Sequence, residues 1–143
     1  VWADYEAIYA ASWKPAEDQP AMLRAFAEAE GAAGRLRLGI ARAEGLAVAA
    51  QAWTVENGTA YIHKLAYLES HKALSAGTTL TAELFRHVID VDGVALVDFG
   101  TGDQSYKADW MDGVRERFRI DCLDAASPRA WLPLAKRILR PWR

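Results

Sequence analysis

The sequence predicts an α+β fold in three layers, with a twisted, mixed but mostly antiparallel sheet that has helices on both faces. Three β-type segments are joined by the short turns Glu44-Gly45 and Asn57-Gly58, and Asn-Gly is the strongest short hairpin signal. A helical segment (77–91) then separates the third strand from another apolar strand (94–99). A strand–helix–strand crossover of this length makes its two strands parallel.

Two helices precede the strands. The first is predicted over 2–13, with Tyr5 and Ile8 on one side, and Pro15 ends it because the residue before a proline is pushed out of the helical region. The second is predicted over 20–30, where apolar residues recur at helical spacing.

The three strands differ in their patterns. Residues 36–40 alternate leucine or isoleucine with arginine or glycine, which predicts a half-exposed strand. Residues 46–55 are apolar except for Gln51 and Thr54, which predicts an interior strand. The third strand (59–68) is expected to place four side chains on one face: Tyr61, His63, Leu65 and Tyr67.

The C-terminal part predicts a short helix (104–112), a strand (117–124) and an amphipathic basic helix (128–143). That last helix carries five basic side chains: Arg129, Lys136, Arg137, Arg140 and Arg143. Such a helix binds an anionic membrane surface or, more often, covers the protein's own sheet or a partner. Because no repeat or linker interrupts the chain, we expect one domain over 1–143.

Composition excludes several classes of protein. The chain has 143 residues, of which 52% are hydrophobic, enough for one domain with a core. A net charge of −2 argues against a general nucleic-acid binder. Cys122 is the only cysteine, so no internal disulfide forms. The missing initiator Met suggests a processed chain or a piece of a longer protein. With no signal-peptide pattern and no apolar run of about 20 residues, we expect a cytoplasmic protein.

The densest group of reactive side chains follows the strand at 94–99. Residues 97–110 read Val-Asp-Phe-Gly-Thr-Gly-Asp-Gln-Ser-Tyr-Lys-Ala-Asp-Trp, a strand end that opens into a glycine turn. Strand ends of this kind carry the chemistry in many α/β proteins. Asp98 lies within an apolar strand, where a carboxylate needs a partner, and Lys107 or a ligand would supply it. Asp103 is an N-cap, a surface partner of Lys107, or a base.

This pattern of Asp98, Phe99, Gly102, Asp103, Tyr106, Lys107 and Trp110 resembles a motif of the GNAT superfamily of N-acetyltransferases. The similarity is to the branch of acetyltransferases involved in cellulose biosynthesis (CelD/BcsL-like), which is related to FemAB-type transferases. The small-residue turn over 75–80 resembles the same branch, and the resemblance covers 36–124. Members of that branch are longer, so the chain is either a stand-alone catalytic half or the C-terminal part of a longer protein.

The resemblance implies a GNAT-like acyl-CoA-dependent N- or O-acyltransferase, with acetyl-CoA as cosubstrate and no metal. In such enzymes a strand pairs its main chain with the pantetheine arm, which points to Lys64, Leu65, Ala66 and Tyr67. The following turn binds the pyrophosphate, which points to Ser75, Ala76, Gly77, Thr78 and Thr79, with His71 and Lys72 as charge partners. The turn departs from the family's glycine pattern. Without a ligand, it would be an ordinary helix start capped by Ser75 or Thr78.

Catalytic roles also follow from the resemblance. Tyr106 would protonate the departing CoA thiolate, or would pack with Trp110 on the sheet. Asp98 or Asp103 would act as base or hold a cationic acceptor, and Lys107 would fix the carboxylates or meet an anionic acceptor.

Direct transfer to an amine or hydroxyl of a small molecule or saccharide is expected, linked to exopolysaccharide or cell-envelope synthesis. The alternatives are a non-catalytic binding module in a polysaccharide-synthesis assembly and a FemAB-like aminoacyl transferase. The resemblance to the GNAT superfamily also implies a homodimer. The histidines show no metal-ligand spacing, and His63 is either a substrate contact or a hydrogen-bonded structural residue.

Overall fold

The computed structural model of the chain describes residues 1–102, 104–118, 120, 122–124 and 126–138. They form two compact units, Val1–Gln104 and Ser105–Arg143. The first unit holds a four-stranded sheet and three α-helices. In chain order these elements are α1 (Trp2–Ala10), α2 (Pro20–Ala32), β1 (Leu36–Ala43), β2 (Leu46–Glu56), β3 (Thr59–Tyr67), a 3₁₀ helix (Glu69–Leu74), α3 (Ala76–Asp90) and β4 (Leu96–Asp98).

The sheet has the strand order β1-β2-β3-β4, and its directions are those that the sequence predicts. β1 and β3 each pair antiparallel with β2, and β4 runs parallel to β3. Both hairpin turns carry two residues with positive φ, at Glu44-Gly45 and Asn57-Gly58, as the tightest hairpin turns require. β2 is interior, as predicted, and its residues 48–54 are all buried. The mixed, mostly antiparallel α+β fold is therefore confirmed.

Helices cover both faces of this sheet. On one face, Tyr5 and Ile8 of α1 pack with Ala50 and Ala52 of β2. On the other face, leucine and valine side chains of α3 pack around Trp53 of β2. Adjacent residues of one strand point to opposite faces, so the apolar run of β2 supplies both cores. This two-sided burial explains why the run lacks the alternation of an edge strand.

α3 lies close to β1 because Gly39 has no side chain. A Cβ at Gly39 would lie 2.9 Å from Cδ1 of Leu80 and 3.1 Å from Cδ1 of Leu84. At the other end of α3, Arg37 of β1 donates two hydrogen bonds to the carboxylate of Asp92, at 2.9 and 2.6 Å. Together these contacts hold β1 against α3 at two levels.

Three sequence predictions of elements need correction. The first helix ends at Ala10, three residues earlier than predicted, since Ala11 leaves the helix with φ −92° and ψ 1°. In the second unit, α4 spans only Ser105–Ala108. The described residues of 117–124 form no strand, because Phe118 and Ile120 are 82% and 85% exposed and no packing supports one there.

The second unit ends with α5 (Pro128–Ile138), which contains Pro133 and buries Ala130. Residues 139–143 of the predicted basic helix, with Arg140 and Arg143, lie outside the described residues. No helix in the described part of the chain is long and apolar enough to cross a membrane. One domain over 1–143 stays a prediction.

Candidate functional site

The sheet opens between β3 and β4. β3 pairs with β2 from Thr59 to Tyr67 but with β4 over three residues, the last pair being Tyr61 and Asp98. Beyond Tyr61, no described strand pairs with the side of β3 that faces away from β2. The later part of β3 therefore has an unpaired edge, although β4 covers the first part of the same strand.

The main chain of Leu65 and Tyr67 faces this opening. The N–H of Leu68 donates to the carbonyl of Val48 in β2 at 2.9 Å. Because main-chain groups alternate in direction along an antiparallel strand, the N–H and C=O of Leu65 and Tyr67 point away from β2. An extended ligand can bind such groups as an added strand would. These are two of the residues that the sequence predicts for cofactor binding.

A β-bulge at His63 re-aims β3 beside the opening. Ala52 pairs with Lys64 and Trp53 with Ile62, so His63 is the extra residue. Ile62 and Tyr67 consequently both pack on the α3 side. In a strand without a bulge, residues five positions apart would point to opposite faces. The prediction that Tyr61, His63, Leu65 and Tyr67 share one face is wrong, since a bulge shifts the alternation.

A pocket of about 240 Å³ lies where β3 meets the start of α3. Its wall brings together five of the predicted cofactor residues and one predicted charge partner: Tyr67, Ser75, Ala76, Gly77, Thr78 and Lys72. The remaining four lie on the adjoining β3 and α3: Lys64, Leu65, Ala66 and Thr79.

The first turn of α3 presents main-chain N–H groups at this pocket. Ser75 occupies the N-cap position in the left-handed conformation (φ 50°, ψ 31°) and makes no side-chain cap hydrogen bond. The first N–H donated to a helix carbonyl is that of Thr79, to Ser75, at 3.0 Å. The main-chain N–H groups of residues 76–78 come before that of Thr79 in the helix. Together with the helix dipole, they favour the binding of an anion. Ser75 is thus at the cap position, as the alternative expected, but its side chain makes no cap hydrogen bond.

A buried side-chain network anchors this turn to the sheet. Gln51 of β2, which is 0% exposed, donates to the carbonyl of Gly77 at 3.0 Å and to Oγ1 of Thr81 at 2.7 Å. Trp53 donates its indole N–H to Oε1 of Gln51 at 2.8 Å, and Thr81 donates to the carbonyl of Gly77 at 2.9 Å. Sequence analysis missed this role. The signal was a lone amide inside an apolar strand, which needs hydrogen bonds when buried.

Gly77 also permits the close approach of Tyr67. A Cβ at Gly77 would lie 3.2 Å from Cδ1 of the Tyr67 ring. The other side of Tyr67 meets Trp13, whose ring centroid is 4.2 Å away. Tyr67 thus lines the pocket beside α3 and also contacts Trp13, which follows α1.

Asp98, the last residue of β4, shapes the glycine turn that follows. Its Oδ1 accepts the N–H of Gly100 at 2.6 Å, and Gly100 and Gly102 both have positive φ. Asp98 is half-buried, so it is less enclosed than an aspartate in the middle of a buried strand. The hydrogen bond from Gly100 gives Asp98 a structural role in the turn. Sequence analysis did not predict this role, because it depends on how the chain bends after β4.

The structure describes two of the other predicted catalytic residues. Tyr106, half-exposed, and Lys107 are on α4 in the second unit. Asp103 lies outside the described residues. In the part of the chain that the structure describes, no three His, Cys, Asp or Glu side chains are placed to hold a metal ion.

His63 has hydrogen-bonded and aromatic neighbours. Its Nε2 lies 2.7 Å from Oγ1 of Thr54, and Phe26 meets the ring edge-on at 5.2 Å. Partial burial and the nearby ammonium of Lys64 lower the pKa of His63, against an opposing effect of Glu30. The ring is still partly exposed. The expected hydrogen bond of His63 is therefore present, and the alternative of a substrate contact stays a prediction.

Comparison with solved structures agrees with this fold. An aminoglycoside 6'-N-acetyltransferase, AAC(6')-Iy, in complex with a CoA bisubstrate analogue is 16% identical, with a TM-score of 0.60, over 84% of this chain and 91% of that one. The ribosomal-protein-S18-alanine N-acetyltransferase from Escherichia coli is 16% identical, with a TM-score of 0.59, over 76% and 66%. The 6'-N-acetyltransferase AAC(6')-IG from Acinetobacter haemolyticus is 11% identical, with a TM-score of 0.59, over 86% and 93%. At these identities the likeness shows the fold.

Comparison of the sequence gives the family. No curated protein sequence matches the chain. The family described as "Acetyltransferase (GNAT) domain" matches residues 1–108, a range that contains the whole sheet, the α3 turn, Asp98 and α4. The expectation of an acetyltransferase-type enzyme is confirmed at the level of the family. The chain therefore belongs to the family of GNAT acetyltransferase domains.

Proposed function

We propose that the chain is an acetyl-CoA-dependent acetyltransferase that transfers the acetyl group directly to an amine or hydroxyl acceptor. One observation carries the proposal: the unpaired edge of β3 meets the N-terminus of α3, which has no side-chain cap, at a single pocket that contains residues of both. Acetyl-CoA has an extended, amide-bearing arm that ends in a pyrophosphate. The arm matches the strand edge, and the pyrophosphate matches the helix N-terminus. The solved relative complexed with a CoA analogue supports the same donor.

The donor arm would pair with β3. The N–H and C=O groups of Leu65 and Tyr67 would hydrogen-bond its amides, with Ala66 between them. The pyrophosphate would bind the N–H groups of residues 76–78, near Lys72, which lines the pocket and whose ammonium lies 3.9 Å from Glu69. Ser75 and Thr79 complete this turn. Because the chain departs from the family's glycine pattern here, the proposal relies on main-chain N–H groups that the Gln51 network holds in place.

Transfer needs a base, an acid and a polarised carbonyl. The acceptor nucleophile attacks the thioester carbonyl carbon, the C–S bond breaks, and the CoA thiolate takes a proton while the acceptor loses one. We propose Asp98 or Asp103 as base or acceptor anchor, Tyr106 as the acid and Lys107 as the partner of the carboxylates. The family match supports these roles because it extends through α4.

The acceptor is proposed from chemistry and from the relatives. The solved relatives include N-acetyltransferases of aminoglycosides and of a ribosomal protein, so an amine is one candidate acceptor. The motif's resemblance to the cellulose-biosynthesis branch adds a saccharide acceptor and a role in exopolysaccharide or cell-envelope synthesis. An aminoacyl transfer from charged tRNA is less favoured, because the chain has a net charge of −2.

Calorimetric titration with acetyl-CoA tests the donor site. We expect saturable binding, weakened severalfold in Lys72→Met, because that change removes a cation from the pocket wall. Arg86→Met is the matched control, an exposed cation further along α3 that is paired with Glu83, and it should bind normally. No binding at about 1 mM, the upper end of usual KM values, would contradict the proposal. Thiol release with amine and sugar acceptors then tests turnover.

A further inference from the structure

The C-terminal helix α5 carries an apolar stripe that is exposed to solvent. Trp131 and Leu132 are 60% and 66% exposed, and Ala135, one turn after Trp131, is exposed as well. Residues at positions i, i+1 and i+4 of a helix lie on one side of it. We refer to Trp131, Leu132 and Ala135 as the α5 stripe.

The buried contact of α5 lies on a different side of the helix. Ala130 is 7% exposed. With 3.6 residues per turn, Ala130 points roughly 140° away from the centre of the α5 stripe. Covering of the protein's own sheet, the more frequent role of such a helix, therefore does not account for the exposed stripe.

Basic side chains border the α5 stripe. Arg129 and Lys136 are both exposed, and because they are seven positions apart they lie in one row along the helix, next to Leu132. Residues 125–143 contain five lysines or arginines and no acidic residue. Residues 1–124 hold all 19 acidic residues and 12 of the 17 basic ones, a net charge of −7. The chain therefore concentrates its excess of positive charge beside the stripe.

An anionic surface with an apolar layer beneath it matches both features of α5. Basic side chains attract the anionic surface, and exposed tryptophan and leucine enter the apolar layer. A lipid membrane offers both along a continuous plane, so a stripe of three side chains needs no matching groove. Nucleic acid would engage the charges but not the stripe, and the net charge of −2 of the whole chain disfavours it.

We propose that α5 docks on the surface of an anionic lipid membrane. The helix would lie parallel to the surface, with Trp131 and Leu132 at the boundary between headgroups and acyl chains and with Arg129 and Lys136 near the lipid phosphates. This inference does not depend on the proposed function, because α5 contains none of the residues proposed to bind acetyl-CoA. Acetyl-CoA affinity should therefore be the same in every α5 variant.

Sedimentation of the full chain with lipid vesicles tests the membrane site. We expect binding to phosphatidylcholine vesicles that contain about 30% phosphatidylserine, little binding to phosphatidylcholine alone, and release at about 1 M salt, where the Debye length is about 3 Å. Arg129→Gln combined with Lys136→Gln should weaken binding roughly 10- to 30-fold, since each basic side chain contributes about fivefold. Trp131→Ser combined with Leu132→Ser should weaken it at least about 10-fold.

Two variants on α3 are the matched controls, Arg86→Gln and Ile89→Ser. They remove an exposed cation and a 51% exposed apolar side chain from another helix, and they should bind vesicles as the original chain does. Thermal melting should stay unchanged in all these variants, because the altered side chains are exposed. Trp131→Phe keeps the stripe apolar, so it should still bind vesicles, but brominated anionic lipid should quench less of its tryptophan fluorescence.

Several outcomes would overturn the membrane site. Equal binding to neutral and anionic vesicles, or binding to neither, would do so, and so would full binding in either double variant or undiminished quenching in Trp131→Phe. Binding to polyglutamate as tight as that to anionic vesicles would assign α5 to an acidic protein instead. Self-association that is lost when Trp131 and Leu132 are replaced by serine would assign the α5 stripe to a second copy of the chain.

Discussion

The side-chain amide of Gln51 donates a hydrogen bond to the main-chain carbonyl of Gly77 over 3.0 Å, inside the protein. This bond joins the central strand to the first turn of α3. The carbonyl of Gly77 belongs to the turn whose N–H groups we propose for the pyrophosphate. The sheet therefore sets the orientation of that turn.

Replacing Gln51 by leucine should destabilise the fold and weaken donor binding together. The change leaves the indole N–H of Trp53 and the hydroxyl of Thr81 with fewer partners in a buried site. We expect a loss of about 2–4 kcal/mol in the free energy of unfolding, measured by urea denaturation, and a severalfold rise in the KM for acetyl-CoA. Thr54→Val is the control: it removes another buried hydroxyl of β2, one bonded to His63. Equal KM values in both variants would refute the positioning role of Gln51.

Gly77→Ala should raise the KM for acetyl-CoA severalfold and leave kcat unchanged. The new Cβ would lie 3.2 Å from the ring of Tyr67, so the ring or the turn must shift by a few tenths of an ångström. Gly31→Ala in α2 is the matched control, because its Cβ would meet only Cδ2 of Leu36, at an ordinary 3.8 Å. That variant should be more stable by about 0.5–1 kcal/mol. Steady-state kinetics and thermal melting distinguish the two, and an unchanged KM in Gly77→Ala would place the donor elsewhere.

Asp98→Asn and Lys107→Ala should each lower kcat at least about 100-fold, the lower end of what a positioned acid or base contributes. Asparagine keeps an oxygen that can accept the N–H of Gly100, so the turn and the acetyl-CoA affinity should persist. Stopped assays of thiol release and calorimetry on the same samples measure both effects. Full activity in both variants would remove this motif from the mechanism.

Acid should weaken the contact between Arg37 and Asp92. The guanidinium of Arg37, hydrogen-bonded to the carboxylate of Asp92, lowers the pKa of Asp92 below its ordinary value. A lowered pKa in the folded state means that the unfolded chain binds the proton more readily. The contribution is therefore complete above the unfolded pKa, about 4, and is lost as the pH falls through the folded value.

Asp92→Asn tests this, because it should flatten the dependence of the free energy of unfolding between about pH 5 and pH 3. At neutral pH, a double-mutant cycle with Arg37→Met should give a coupling of about 1–3 kcal/mol, as expected for partly buried hydrogen bonds to charged groups. The exposed pair of Arg86 and Glu83 is the control and should show a much weaker coupling, because solvent screens it. If the Asp92→Asn variant keeps the same slope as the original chain, this account is contradicted.

Local signals in the sequence were enough for the architecture. The turns at Glu44-Gly45 and Asn57-Gly58, together with the change from period two to helical period, predicted the antiparallel strands, the crossover and the parallel strand. These features depend on neighbours along the chain, so a single sequence reveals them. The residues around the pocket at the start of α3 came instead from the resemblance to the acetyltransferase superfamily.

Only the tertiary structure decided the contacts between distant segments. The bulge at His63 depends on the pairing of β3 with β2, and it reversed the predicted face of half of β3. Asp98 accepts the N–H of Gly100, a contact that depends on how the turn bends. Gln51 meets Gly77 across 26 positions of the chain. The hydroxyl of Tyr5, which has no hydrogen-bond partner in the described part of the chain, is buried by the packing of α1 on the sheet. In the first unit the sequence by itself determined which helices and strands form and in what order, because local propensity and periodicity act over a few residues. Which polar groups meet was decided by burial between segments that are far apart in the chain.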